Sequence, residues 1–170
     1  MIIPQEPRRH FPKHNKCSLR HSFLLVTFLT LLSPQLFAND AKTAFHLNPD
    51  FEKKYNFSIA IKAGSYLYIG GVTAVDKEGR EVYAGDASKQ MQLIYERMSA
   101  ILKAHGADFS KVVSETIYYK TDNDTYYKAL EARAAAYNGV VAPSASGVRV
   151  ADFASDSALV EITAVAYLGE

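Results

Sequence analysis

The chain has 170 residues with one cysteine, and its 19 Lys/Arg nearly balance 18 Asp/Glu for a formal charge of +1. That length holds one domain, and a lone cysteine excludes an internal disulfide. The balanced charge leaves no basic surplus for gripping nucleic-acid phosphates.

The balance is a composite of two unlike regions. Arg8, Arg9, Lys13, Lys16 and Arg20 precede an uncharged apolar run from Phe23 to Leu32, followed by Ser33-Pro34 and Leu36-Phe37-Ala38. A basic region, a short apolar stretch and a terminal small residue predict a secretory signal peptide over 1–38, cleaved after Ala38. The run is shorter than the roughly 20 residues that span a bilayer. Cys17 stands before it, misplaced for lipid attachment. The mature chain is expected in the periplasm or outside the cell, free of the membrane. Cleavage removes five of the 19 basic residues and one of the 18 acids, leaving a net charge of −3 and no cysteine.

Residues 39–56 are polar and patternless and are expected to form a loose N-terminal arm ahead of a domain over 57–170. Phe57, Ile59 and Ile61 alternate, Ala63-Gly64-Ser65 reads as a tight turn, and Tyr66-Leu-Tyr-Ile69 resumes the alternation up to Gly70-Gly71, which predicts a hairpin. Asp76-Lys-Glu-Gly79 marks a second turn, with a short strand expected at Glu81-Val82-Tyr83. Asp86 is placed to cap a helix whose Met91, Ile94, Tyr95, Met98, Ile101 and Leu102 recur at helical spacing, closed by Gly106. A strand over 115–120 follows, then a helix from Asp122-Asn-Asp124 to Tyr137. Two last strands are expected at 146–151 and 158–168. The order β-β-(β)-α-β-α-β-β describes an α+β domain, with two helices on one face of a mixed sheet. The other face carries apolar residues too and calls for a partner sheet.

Several landmarks carry a family resemblance: Gly64-Ser-Tyr-Leu-Tyr-Ile-Gly-Gly71, Gly79, Gly85-Asp86 with Gln90, and Ile101-Leu102 with Gly106-Ala107. Val112, Thr116 and Lys120-Thr-Asp122 continue the series, and Pro143 and Glu161-Ile-Thr-Ala-Val-Ala166 close it. Together they resemble the RidA/YjgF family over residues 57–168. The resemblance implies a RidA/chorismate-mutase-like fold, a homotrimer, small-molecule clefts between subunits and no cofactor. In active members an arginine two residues after the proline clamps the substrate carboxylate through a bidentate guanidinium. Here that position is Ala145. The family's cysteine falls on Gly147, its pocket serine on Gly70, its early tyrosine on Phe57 and its helix asparagine on Lys128. The acid associated with the attacking water is kept as Glu161.

These replacements remove polar tips as a group and predict a wider, less polar pocket. Arg149 shares a strand side with Ala145 and Gly147. It is expected either to supply a relocated anion site opposite Glu161 or to form a structural ion pair. Glu161 is either a general acid/base or a buried structural acid. His46 and His105 are too far apart in sequence for a spaced metal motif. The expected function is an exported, trimeric small-metabolite binder without the family's imine deaminase activity. The alternative is a divergent deaminase using Glu161 with Arg149. Ribonuclease activity is disfavoured by the mature charge and by the lack of a basic, aromatic-studded face.

Overall fold

The computed structural model describes residues 42–169. The expected signal peptide and its cleavage bond lie outside the described residues. Six strands form one sheet: β1 (Thr43–Phe45), β2 (Ala60–Ala63), β3 (Tyr66–Val72), β4 (Val112–Tyr119), β5 (Ser144–Arg149) and β6 (Val160–Tyr167). Their spatial order is β1-β2-β3-β6-β4-β5. Neighbours pair antiparallel except β4 and β5, which run parallel. A parallel pair needs a long crossover, supplied here by a helix. Among the described residues, helices α1 (Pro49–Lys54), α2 (Ala87–Ala104) and α3 (Asn123–Ala136) and a short 3-10 helix at Phe109–Lys111 accompany the sheet.

The helix boundaries follow from local chemistry. Asp86 accepts the Lys89 N–H at 3.0 Å and Asp122 accepts the Thr125 N–H at 2.9 Å, each satisfying an orphan donor of a first turn. Gly106, at φ +67°, ends α2 in the left-handed region. Met91, Ile94, Met98, Ile101 and Leu102 of α2 are fully buried against Leu67, Ile162 and Ala166 of the sheet. Burying a side chain of that size contributes about 1.5–3 kcal/mol, so this layer dominates the core.

Two expectations need correction. Glu81-Val82-Tyr83 forms no strand, only an isolated bridge between Val75 and Glu81. Residues 39–56 do not form a loose arm where they are described. β1 pairs with β2, and α1 follows it with Pro49 in its first turn, acids Asp50 and Glu52 early and Lys53-Lys54 late, the arrangement a helix dipole favours. The segment is held by a polar tie. Glu52, 2% exposed, accepts the N–H groups of Leu47 (2.8 Å) and Asn48 (2.7 Å) at Oε1 and that of Ile59 (2.9 Å) at Oε2, and His46 Nδ1 lies 2.7 Å from Oε2. Burial works to raise this carboxyl's pKa, but these hydrogen bonds outweigh it and hold it below its ordinary value. One carboxylate thus joins β1, α1 and the start of β2, with no apolar periodicity to announce it.

The face of the sheet away from α2 and α3 is bare in the single chain. Tyr66, Tyr68, Tyr167 and Val113 are each at least 40% exposed, and the Tyr66 and Tyr167 rings lie 5.3 Å apart. β5 is an edge strand exposed along its whole length.

Candidate functional site

β3 is irregular near its end: its register against β6 shifts between Ile69 and Val72. At this bulge Gly70 donates its N–H to the Ile59 carbonyl at 2.8 Å. A Cβ on Gly70 would sit 3.3 Å from that same oxygen, so the position is pressed against backbone. At Gly71 the missing Cβ leaves room for something else. The Glu161 carboxylate of β6 occupies it, and a Cβ there would fall 2.7 Å from Glu161 Cδ.

Glu161 stands at the wall of a cleft of about 520 Å³. Phe51 from α1, Phe57 from the approach to β2 and Phe153 from the β5–β6 connection contribute its apolar wall, with Thr73 and Arg97 among the polar lining. Phe51 and Phe57 meet edge to face, with ring centroids 6.0 Å apart. The connection that carries Phe153 is tied down on several sides. Gln90 donates to the Ser157 carbonyl at 2.8 Å and accepts the Leu159 N–H at 2.8 Å. Glu81 accepts hydrogen bonds from the Ser155 and Ser157 hydroxyls. Lys120 Nζ donates to Asp152 at 2.8 Å and to the Asp156 carbonyl at 3.0 Å.

Glu161 is half-buried, and burial pushes its pKa above the ordinary 4.5, with no hydrogen bond or cation among the described residues acting against that push. Arg97 donates to the Val75 carbonyl at 3.0 Å and more weakly to Asn48 Oδ1 at 3.5 Å. Its Nε is buried without a partner among the described residues, and burial lowers the pKa of the guanidinium.

The other residues singled out from sequence lie elsewhere. Ala145, Gly147 and Arg149 pair with Glu115, Ile117 and Tyr119 of β4, which places them on the helix-covered side. Glu161 pairs with Tyr118, so it points to the opposite side, with β4 between it and β5. The meeting of Arg149 with Glu161 therefore does not occur within one chain, because an odd offset along a strand reverses the face. Lys128 lies on α3 and lines a groove of about 470 Å³ between α2 and α3, away from Glu161.

The vacancy expected at Gly147 is also filled. A Cβ there would sit 2.5 Å from the Tyr126 hydroxyl oxygen, and Tyr126 stacks on Tyr119 with centroids 3.9 Å apart. The tyrosine of α3 takes up the space a larger side chain would need.

On β4, on the helix-covered side of the sheet, Glu115 is 2% exposed. It accepts hydrogen bonds from Arg133 Nε, Tyr137 (2.9 Å) and Tyr95 (3.3 Å). Burial, reinforced by the Glu115 charge, pushes both tyrosine hydroxyls well above their ordinary pKa. This network joins α2, β4 and α3 and faces away from the Glu161 cleft.

Residues 48–168 match the family model described as Endoribonuclease L-PSP. The chain belongs to the RidA/YjgF family. The match begins at Asn48, so α1 lies within the family's fold. This RidA/YjgF chain is 35% identical over 111 residues to a RutC family protein of Pyrococcus horikoshii, covering 65% of this chain and 86% of the relative. It is 26% identical over 103 residues to human 2-iminobutanoate/2-iminopropanoate deaminase, covering 55% of this chain and 75% of the relative. Among solved structures, a Rid-family protein of unknown function from Yersinia pestis superimposes with a TM-score of 0.64 at 26% identity. That likeness spans 75% of this chain and 99% of the other.

Of the RidA/YjgF positions identified from sequence, Phe57 and Glu161 come together, with Gly70 beside them at the bulge. Within one chain Lys128, Ala145 and Gly147 do not join them. Sequence reasoning missed Phe51, Gly71, Arg97 and Phe153. Arg97 carried a readable signal: it interrupts α2 between the buried positions Ile94, Met98 and Ile101. Phe51 and Phe153 sit in segments without periodicity and carried none.

Proposed function

We propose that this chain acts as an exported homotrimer that binds a small molecule in clefts between subunits and lacks typical imine deaminase activity. The observation that carries the reading is the division of the site positions. Phe57, Gly71 and Glu161 line a half-open cleft on one side of the sheet, while Ala145 and Gly147 lie on the exposed edge strand β5, facing the other side. In this reading a second copy supplies the missing half, and the bare tyrosine-rich face is the surface it covers. Burying that face removes exposed aromatic surface at about 25 cal/mol per Å², and joining around an axis closes the contact.

The proposed lack of activity rests on the chemistry at position 145. Alanine offers no donor to a substrate carboxylate, and losing a buried, charged hydrogen bond of that kind costs about 2–5 kcal/mol. Export rests on the basic leader and its apolar run, and it also separates the protein from cytoplasmic imine-generating enzymes.

A second reading, a divergent imine deaminase, draws on the human relative's name and on the raised, unpartnered Glu161. In that reading Arg149 serves the cleft only from a neighbouring subunit. Endoribonuclease activity is disfavoured by a cleft walled by Glu52, Glu81 and Glu161 against the single guanidinium of Arg97.

Incubation with an amino-acid oxidase that releases 2-imino acids separates the two readings. Imine decay equal to the buffer control is expected, and acceleration above it refutes the inactive binder. Light scattering on the same sample is expected to give three times the chain mass. A monomer refutes the shared cleft.

A further inference from the structure

Resting on the reading of the Glu161 cleft as the ligand site, we propose that it takes a small protonated amine with an apolar body and no carboxylate. The charged groups around the cleft differ in what they leave free. The Glu52 carboxylate is occupied by three backbone N–H groups and His46. The Glu81 carboxylate holds the hydroxyls of Ser155 and Ser157. Arg97 commits one hydrogen of each terminal nitrogen, to Val75 at 3.0 Å and to Asn48 at 3.5 Å, and its Nε is buried without a partner among the described residues. Glu161 alone among them has no partner among the described residues, and it accepts hydrogen bonds without offering any when ionised.

A half-buried carboxylate with empty lone pairs calls for a donor, and a cationic donor makes the stronger bond. Three carboxylates against one guanidinium make the surrounding field favour a cation and oppose a second anion. The rings of Phe51, Phe57 and Phe153 supply apolar surface for the body of the ligand. Their faces also attract an ammonium group through the ring quadrupole. Within one chain a carboxylate finds only Arg97, whose single charge is outnumbered by the three carboxylates of the lining. The position of the family's clamp is Ala145, and Arg149 lies on the far side of the sheet. The loss of the clamp and the survival of the acid therefore select one ligand chemistry together. The cleft discards the carboxylate end of an amino-acid-derived ligand and keeps the nitrogen end.

The test is isothermal titration of the full chain at neutral pH with 2-phenylethylamine, 3-phenylpropionate and phenylalanine, with light scattering on the same sample. Phenylethylamine is expected to saturate, and phenylpropionate to give no heat of binding. Glu161→Gln, which keeps shape and hydrogen-bonding capacity, is expected to weaken the amine by about tenfold or more. Phe57→Ala is expected to weaken it as well, through lost ring contact, with Glu161 untouched. Phenylpropionate or phenylalanine binding as tightly as the amine overturns the proposal. So does amine affinity that Glu161→Gln leaves unchanged, or a trimeric sample that binds none of the three. A monomeric sample that binds none overturns the shared cleft, and the amine proposal falls with it.

Discussion

Gly71→Ala separates the position of Glu161 from the stability of the fold. A Cβ at residue 71 would fall 2.7 Å from Glu161 Cδ, whereas ordinary contact begins at 3.4 Å. The carboxylate must therefore retreat by about 0.7 Å or more to reach ordinary separation. The atoms that must move are the far end of a flexible side chain. An off-rotamer adjustment costs about 0.5–1.5 kcal/mol, and the reduced freedom of the unfolded chain offsets about 0.4–1 kcal/mol of it. Net stability should change by less than about 1 kcal/mol, a shift of a few degrees in melting temperature for a domain of this size. The ligand effect is larger. A charge-assisted hydrogen bond contributes about 1.5–3 kcal/mol, and stretching it beyond bonding distance forfeits most of that. Phenylethylamine affinity should fall by about tenfold or more. Thermal unfolding and titration calorimetry on the same preparation give both quantities. An unchanged melting temperature with unchanged amine affinity refutes the idea that Glu161 acts from the space left by Gly71.

The remaining predictions concern the core and pH. Arg133→Met leaves the Glu115 carboxylate buried with only the two tyrosine hydroxyls, and should cost about 3–5 kcal/mol in urea unfolding at fixed protein concentration. Gly147→Ala forces the Tyr126 hydroxyl aside from 2.5 Å and disturbs its stack on Tyr119. It should cost about 1–3 kcal/mol and alter the near-ultraviolet circular dichroism. Burial raises the folded pKa of Glu161 above 4.5, so its contribution to stability declines as pH rises from about 4.5 through the folded value. Glu161→Gln should remove that decline and melt higher than wild type at neutral pH. Glu52 has the opposite sign: its folded pKa lies below 4.5, so its contribution is present above that value and lost as pH falls through the folded pKa. Glu52→Gln should flatten the acid limb of the melting-temperature profile.

The elements most legible in the sequence were those whose formation depends on near neighbours. The β2–β3 hairpin has its alternation and the Gly64 turn, and α2 has its apolar stripe between Asp86 and Gly106. α3 has its Asp122 cap. The hidden elements depend on distant partners. β1 and α1 have no periodicity, since what holds them is a buried carboxylate gathering N–H groups from both sides of the helix. The candidate site divides in the same way. Glu161 was visible as a lone acid in an aliphatic strand, whereas Phe51 and Phe153 come from opposite ends of the domain and line one cleft only in space.

The sequence by itself determined the family, the succession of hairpin and helices, and the chemical inventory of the site, with Glu161 present and an alanine at position 145. Those properties follow from residue identity and local periodicity. Only the tertiary structure decided which of those residues share a cavity. Strand pairing set the face on which each side chain stands, putting Glu161 and Arg149 on opposite sides of the sheet. Packing then decided that Tyr126 fills the space beside Gly147 and that the Glu161 carboxylate fills the space beside Gly71. Face and vacancy are relations between segments far apart in the chain, so they exist only once the sheet has formed.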